Sequence, residues 1–205
     1  PFSLKKIFYH PAVTWSMSQP MTTQFSKPNV GLVFTRQVTG LNWAHIQVTD
    51  KSIEIKSHSH DRSSQFAPLY IYVESQNSLL PQAEPRVSNI PQRILNDISD
   101  RLRLSIILVG QGDLEKTFGP EDIFYYAYAV FHSPTYRSRY AEQLKIDFPR
   151  LPITSDKELF KRLVALGNEL VNIHLLGENP FDSSKTILDD SSKWNIKIGG
   201  TAPAN

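Results

Sequence analysis

The stretch that decides the fold runs from Phe118 to Leu151 and reads FGPEDIFYYAYAVFHSPTYRSRYAEQLKIDFPRL. The segment Gly119-Pro120-Glu121-Asp122 predicts a helix start, because proline presets the first-turn backbone and carboxylates favour the positive end of the helix dipole. Ser133 and Pro134 then predict the cap and the first residue of a second, shorter helix. The apolar face of the first helix is formed by Ile123, Phe124, Ala127, Val130 and Phe131. The stretch therefore predicts a packed pair of helices.

Helical periodicity continues on both sides of this stretch. Before it, four apolar residues lie on one face of a helix that begins near Pro91: Ile94, Leu95, Ile98 and Leu102. After it, residues 148–152 (FPRLP) form an extended connector, because a residue that precedes proline avoids the helical region. Residues 155–158 (SDKE) resemble a capping box and predict a long helix that reaches about His174. The apolar stripe of that helix is Leu159, Leu163, Leu166, Leu170 and Ile173.

The front of the chain has the pattern of β-strands instead. Residues 30–38, 43–49, 53–56 and 68–73 are β-branched or alternate between apolar and polar residues, which is typical of strands. The polar residues 57–66 predict a loop. We therefore predict an α+β fold with a small, mostly antiparallel β part. Its predicted divisions are a β-rich part at 1–75, a linker with three prolines at 76–91, a helical part at 92–176 and a polar extension at 177–205.

The composition is that of a globular protein, with 40% apolar and 20% charged residues among 205. No segment reaches the roughly 18 apolar residues that a membrane helix requires, so we expect no membrane association. The chain contains no cysteine, which excludes disulfides and thiolate chemistry and fits the cytoplasm, where we expect the protein. Because it begins with Pro1 rather than methionine, we expect it to be part of a longer polypeptide.

Charge is distributed unevenly although the formal net charge is only +2. Residues 1–62 contain seven basic and three acidic side chains, whereas the remainder contains fifteen basic and seventeen acidic ones. If the chain binds a polyanion, its N-terminal third is the expected surface.

Seven polar residues are candidates for contact with DNA. Arginine and glutamine can read guanine and adenine edges, and a β-ribbon with its loops can enter a groove. Arginines on a short helix suit contacts with phosphates. The candidates that would read or position DNA are Arg36, Gln37, His45 and Lys56, and those for phosphates are Arg62, Arg137 and Arg139. Ordinary solvated strand and helix positions explain the same residues equally well.

No motif predicts a catalytic or metal site in this chain. Glu121 and Asp122 are explained by the helix start, and His58-x-His60 has too few neighbouring ligands for a metal site. Gly110-x-Gly112 lacks the further glycine and lysine of phosphate-binding loops and predicts a turn. His174, in the last turn of a helix, fits the negative end of the helix dipole.

Several segments together resemble a known family. Residues 121–153 (EDIFYYAYAVFHSPTYRSRYAEQLKIDFPRLPI) resemble the C-terminal specificity region of type ISP restriction-modification enzymes and of related adenine-specific DNA methylases. Residues 157–176 (KELFKRLVALGNELVNIHLL) are similar to the helix that follows it. Residues 1–11, 29–50 and 66–72 match in order and spacing, so the resemblance covers about 1–176.

This resemblance implies a domain that selects the DNA sequence on which adjoining methyltransferase and, in some members, translocase and nuclease domains act. The methyltransferase would use S-adenosylmethionine, and the parent would be an adenine DNA methyltransferase or restriction enzyme. This chain has only Asn179-Pro180-Phe181 in place of the catalytic Asn or Asp-Pro-Pro-Tyr or Phe motif, and it has no Phe-x-Gly-x-Gly loop. We therefore expect neither a cofactor site nor catalysis in this piece.

Three hypotheses remain open at the level of sequence. The first is a domain that recognises double-stranded DNA without catalytic residues of its own. The second is that the chain retains S-adenosylmethionine-dependent methyltransferase or nuclease activity. The third is a module that docks onto the methyltransferase or translocase domains of its parent polypeptide.

Overall fold

The computed structural model describes residues 24–25, 27–38, 43–53, 63–72, 86–177 and 179–181. The strands are β1 (Gly31–Thr35), β2 (Ile46–Thr49), β3 (Ser64–Pro68), β4 (Tyr70–Tyr72), β5 (Arg86–Ser88), β6 (Ser105–Ile106) and β7 (Thr117–Phe118). The helices are α1 (Gln92–Leu102), α2 (Pro120–His132), α3 (Pro134–Arg139), α4 (Ala141–Ile146) and α5 (Lys157–His174). Small sheets followed by helices make an α+β fold, as predicted.

The N-terminal part of the described chain forms a three-stranded antiparallel sheet in the order β2-β1-β3. Two of its strands fall within the predicted ranges 30–38 and 43–49. The predicted loop at 57–66 is wrong at its end, since residues 64–66 pair with β1, for example Gln65 with Phe34. Strand pairing uses backbone groups, so a polar sequence at the sheet edge does not prevent it.

The range predicted as strand 68–73 contains the end of β3 and all of β4. β4 pairs with β5, which lies inside the predicted linker 76–91. The division of the chain into domains stays a prediction. Residues 54–62 and 73–85, which include the rest of the predicted strand 53–56, lie outside the described residues.

Helix α2 is the centre of the hydrophobic core. Every residue from Pro120 to Phe131 is buried, so the helix is enclosed on all sides rather than along one face. Its tyrosines are accommodated because their hydroxyl groups find partners. The Tyr126 hydroxyl donates to the Pro152 carbonyl over 2.7 Å, and the Tyr128 hydroxyl contacts His174 Nδ1.

Helix α5 packs directly on α2, but not through the predicted stripe. Its buried residues are Phe160, Val164, Gly167 and Val171. The backbones meet at Gly167, where an added Cβ would lie 1.9 Å from the Tyr125 carbonyl oxygen. The predicted stripe contributes only in part: Leu163 and Leu170 are partly buried against the core, whereas Leu159, Leu166 and Ile173 are exposed.

Local signals placed the start of α3 correctly and that of α5 to within one residue. Ser133 caps α3 by accepting a hydrogen bond from the Tyr136 N–H, with Pro134 in the first turn. The capping box predicted from Ser155 is wrong by one residue. Asp156 is the cap of α5, and its carboxylate accepts from the Leu159 N–H over 3.0 Å.

The amino end of α2 joins the β part to the helices through buried acids. Asp122 Oδ2 accepts hydrogen bonds from the Gly112 N–H (2.7 Å) and the Gly119 N–H (2.8 Å). Burial outweighs these donors and raises the pKa of Asp122 to about 6. The predicted turn at Gly110-x-Gly112 is thus held by the helix that follows it.

Glu121 makes the second of these connections. The Tyr70 hydroxyl donates to Glu121 Oε1 over 3.1 Å and accepts from the Gly110 N–H over 2.8 Å. Arg86 stacks on the Tyr70 ring at 4.3 Å and lies 3.8 Å from Glu121 Oε1. Burial raises the pKa of Glu121 despite these contacts. Both acids therefore serve the fold, as the helix-start interpretation predicts.

Among the described residues there is no helix with the length and apolarity needed to cross a lipid bilayer.

Candidate nucleic-acid interface

The segment that leaves β1 lies against the end of α4, although the two are far apart in sequence. The Val38 N–H donates to the Lys145 carbonyl over 3.2 Å, and Gln37 Nε2 donates to the Ile146 carbonyl over 3.4 Å. The rings of Phe34 and Phe148 meet edge to face, with centroids 5.8 Å apart. The fold thus brings the candidates Arg36 and Gln37 beside residues 145–150.

Two arginines flank one carboxylate at this junction. Arg36 Nε and an Arg150 guanidinium nitrogen each lie 3.7 Å from an oxygen of Asp147. The Phe148 N–H first, and then the two arginines, hold the pKa of Asp147 below its ordinary value. The arginine side chains are 63% and 91% exposed, respectively. Ion pairs this exposed are weak, because solvent screens both charges, so either arginine can turn to another anion at little cost.

An apolar element lies between these charges. Phe148 is 41% exposed although it contacts Phe34, and Arg36 lies over its ring at 5.5 Å from the centroid. Ile146, at the end of α4, is also exposed. We call the patch formed by Arg36, Gln37, Ile146, Asp147, Phe148 and Arg150 the arginine–phenylalanine surface. Exposed guanidinium groups beside an aromatic ring can contact phosphates and stack on bases.

The structure describes only one of the three remaining candidates from the β-rich part of the chain. His45 lies just before β2, is half-buried and accepts a hydrogen bond from the Ala44 N–H at Nδ1 over 3.3 Å. Lys56 and Arg62, like His58 and His60, lie outside the described residues.

Arg137 faces inward rather than toward solvent. Its Nε donates to the Phe131 carbonyl over 2.8 Å, and a terminal nitrogen lies 3.2 Å from His132 Nδ1. Its guanidinium also lies over the Trp43 ring, 5.8 Å from the centroid. These contacts occupy the side chain at the carboxyl end of α2, so its role as a phosphate contact stays a prediction without geometric support.

Arg139, two residues later on α3, is exposed. It is therefore sterically available to an anion, unlike Arg137. The two arginines look equivalent in the sequence, yet they lie on different sides of the same short helix. Two steps of a helix turn the chain by about 200°, so Arg137 and Arg139 point in nearly opposite directions.

Asn179, the one polar residue of the partial methylase-like motif, is used within the fold. Its Nδ2 donates to Tyr125 Oη (3.1 Å) and to Asn172 Oδ1 (2.8 Å), and its Oδ1 accepts from the Phe181 N–H (3.2 Å). The residue is buried. The described residues also contain no group of three or more acidic or histidine side chains placed to hold a metal ion.

Phe148 and Arg150 were missed as candidates because residues 148–152 were interpreted only as a connector. The connector is indeed non-helical, as predicted. Its extended backbone points successive side chains in different directions, so the residues that flank Pro149 can both reach solvent. An aromatic residue and an arginine on either side of a proline, just after a helix, is a signal that could have identified them.

The comparisons with known proteins identify the family. The family model described as the Type ISP C-terminal specificity domain matches residues 1–197. The chain belongs to this family. The resemblance inferred from residues 121–153 and 157–176 is thereby confirmed, and the match extends over nearly the whole chain.

Two solved structures are similar to this specificity domain. One is the ATP-dependent Type ISP restriction-modification enzyme LlaBIII bound to DNA, with 25% identity, a TM-score of 0.55, and coverage of 73% of this chain and 8% of that chain. The other is the DrdV–DNA complex determined by cryoEM, with 28% identity, a TM-score of 0.51, and coverage of 76% and 13%. The specificity domain thus spans a small fraction of the enzymes it resembles. No curated protein matches the sequence.

Proposed function

We propose that this specificity domain selects a double-stranded DNA sequence for a larger restriction-modification enzyme, and that the arginine–phenylalanine surface contacts the DNA. The observation that carries the proposal is the exposed pair Arg36 and Arg150 around Phe148. Its support from relatives is that both similar structures are complexes with DNA. Arg139 is a further phosphate contact in this proposal, because it is exposed on α3.

The chemistry of the surface suits a combined contact. Arginine forks hydrogen-bond phosphate oxygens in a bidentate manner, and an exposed aromatic edge can pack against a sugar or base. Gln37 can present its amide to adenine once it releases the long 3.4 Å contact to the Ile146 carbonyl. The arginines would set the register on the backbone, and Gln37 with His45 would provide sequence discrimination.

The test is fluorescence anisotropy of labelled duplexes with the full chain over a series of salt concentrations. We expect Arg36→Ala and Arg150→Ala each to weaken binding about 3- to 10-fold and to reduce the salt slope by about 1, the value for one phosphate contact. Arg93→Ala is the matched control, because it removes an exposed arginine from α1 and leaves every residue of this surface unchanged. Equal losses in all three variants would mean that only net charge matters, and the surface assignment would be abandoned.

Catalysis belongs, in this proposal, to other domains of the parent polypeptide, which would bind S-adenosylmethionine. The internal hydrogen bonds of Asn179 support this assignment, because an adenine-binding amide must be free to reach its base. Calorimetric titration of the full chain with S-adenosylmethionine should give no heat of binding. Saturable heat with unit stoichiometry would favour the alternative of a retained methyltransferase site instead.

A further inference from the structure

Strand β3 carries an exposed amide side chain at one edge of the three-stranded sheet. In the order β2-β1-β3, this strand is bonded to β1, and no further strand lies beyond it in the described part of the chain. Gln65, its second residue, is exposed. The Gln65 amide makes no hydrogen bond with any described residue, so it is available to a ligand.

The strand register places Gln65 beside the arginine–phenylalanine surface. Gln65 is the Cα partner of Phe34 on β1. Directly paired residues of antiparallel strands project from the same face of the sheet, with their Cβ atoms about 5 Å apart. The Phe34 ring meets the Phe148 ring edge to face at 5.8 Å. The Gln65 side chain therefore leaves the sheet on the face that carries Phe148.

Arg36 is directed to the same face. It follows the last residue of β1, and its guanidinium lies over the Phe148 ring, 5.5 Å from the centroid. One face of the β1–β3 pair thus presents a guanidinium on β1 and an amide on β3, next to a single aromatic ring. A two-stranded antiparallel ribbon is narrow enough to enter the major groove of DNA.

An amide at this position supplies what the arginines lack. Contacts from arginine to phosphate fix the position of a protein on DNA but contain no sequence information. A glutamine amide donates to N7 and accepts from N6 of adenine, and this pair of atoms distinguishes adenine from the other bases. Gln37 has the same chemistry, but its amide already donates to the Ile146 carbonyl. Gln65 has no such described contact to break.

We propose that Gln65 is a base-reading residue that selects adenine at one position of the DNA target. This inference rests on the proposed function and deepens it, because it names a base that the arginine–phenylalanine surface recognises. The β1–β3 ribbon enters the major groove, Arg36 holds a phosphate, and the Gln65 amide pairs with the N6 and N7 atoms of the adenine.

The first experiment selects bound duplexes from a library with a randomised central segment, using the full chain, and sequences them. We expect wild type to enrich a motif with a fixed adenine. Gln65→Ala should reduce the preference for that adenine about 5- to 150-fold and leave the other positions unchanged. Gln111→Ala is the matched control, because it removes an exposed glutamine from the loop between β6 and β7. It should leave the motif unchanged.

The second experiment changes the chemistry of the contact. Gln65→Arg should shift the preference at the same position from adenine to guanine, because arginine donates to the O6 and N7 atoms of guanine. Each adenine of the motif is also replaced in turn by 7-deazaadenine, which has no N7 acceptor. One replacement should weaken the binding of wild type and leave that of Gln65→Ala unchanged. Circular dichroism checks that each variant is folded.

The outcomes separate this inference from the proposed function. A wild-type chain that enriches no motif overturns both. A motif that is the same for wild type and a folded Gln65→Ala overturns only the role of Gln65. If Gln65→Ala does not fold, the wild-type chain still decides, since binding that no 7-deazaadenine replacement weakens overturns the reading of adenine N7.

Discussion

The amino end of α2 and the arginine–phenylalanine surface both combine acidic and basic side chains, but under opposite conditions. At α2, Glu121 and Asp122 are buried, and their oxygens accept from Tyr70, Gly112 and Gly119. At the surface, Asp147 shares two exposed arginines at 3.7 Å. The buried carboxylates are hydrogen-bonded within the fold, whereas the exposed arginines can exchange Asp147 for a ligand.

This difference shows why residue type alone does not identify a binding residue. Arg137 and Arg139 are equally basic and two positions apart, yet one guanidinium is hydrogen-bonded to the Phe131 carbonyl and the other is exposed. The contacts within the chain determine which charge is available. Substitutions should therefore separate into those that unfold the protein and those that change only binding.

The largest effect should come from Gly167→Ala, in the interior of the helical half. An alanine normally stabilises a helix by about 1 kcal/mol relative to glycine. Here its Cβ would lie 1.9 Å from the Tyr125 carbonyl oxygen, so α2 and α5 must separate. We expect a loss of about 2 to 4 kcal/mol in the free energy of unfolding, measured by urea denaturation. Gln143→Ala, on the exposed side of α4, should change it by less than about 0.5 kcal/mol, and a stabilised Gly167→Ala would contradict the close crossing.

The next largest effect is expected at the buried Asp122, and the exposed Asp147 provides the comparison. Asp122→Asn should reduce the free energy of unfolding at pH 7 by about 1 to 3 kcal/mol. Both N–H groups donate to the same oxygen, Oδ2, and a neutral amide oxygen in that position is a weaker acceptor than a carboxylate oxygen. Asp147→Asn makes the same chemical change on the exposed surface, where we expect no measurable change in the free energy of unfolding. If urea denaturation gives equal losses in the free energy of unfolding for the two variants, the buried and the exposed carboxylate contribute alike and the prediction is wrong.

Sequence patterns predicted the elements whose signals are local. Pro120 and Ser133 mark the starts of α2 and α3 correctly, because the backbone of a proline and the oxygen of a cap act within one turn. The leucine stripe of α5 marked the helix but not the face that makes its closest contact. Two apolar faces are adjacent on that helix, and only the close approach of Tyr125 to Gly167 determines which of them is buried.

The candidate site was only partly accessible to such reasoning. Arg36 and Gln37 were chosen for their chemistry, and both lie on the arginine–phenylalanine surface, although their role there stays a prediction. Phe148 and Arg150 could not be grouped with them, because β1 and the end of α4 meet only through tertiary packing. Periodicity describes the faces of one element and contains no information about which distant element lies beside it.

A smaller effect should separate the two arginines of α3. Arg137→Ala removes the donors to the Phe131 carbonyl and to His132, and we expect it to reduce the free energy of unfolding by about 1 to 2 kcal/mol. Arg139→Ala should change it by less than about 0.5 kcal/mol while weakening DNA binding. Thermal denaturation and anisotropy on the same preparations test both expectations. An Arg139→Ala protein that is destabilised as much as Arg137→Ala would show that both side chains belong to the fold.

The smallest effect should appear only on acidification, at His132. Burial first, and then Arg137 and His174, lower the pKa of His132 from 6.5 to about 4. Its Nδ1 accepts from Arg137, which can only donate, so the neutral ring carries its proton on Nε2.

Because the unfolded chain binds this proton more readily than the folded one, the contribution of His132 to stability is lost as the pH falls from about 6.5 toward 4. Asp122, with its raised pKa, acts in the opposite direction over part of this range, so wild type must be compared with a variant. His132→Asn keeps an acceptor for Arg137 and does not titrate. After allowance for partial solvent exposure, we expect wild type to lose about 1 kcal/mol more than His132→Asn between pH 7 and 4.5. Parallel stability curves for the two proteins would mean that the His132 ring accepts its proton as easily in the folded state as in the unfolded one.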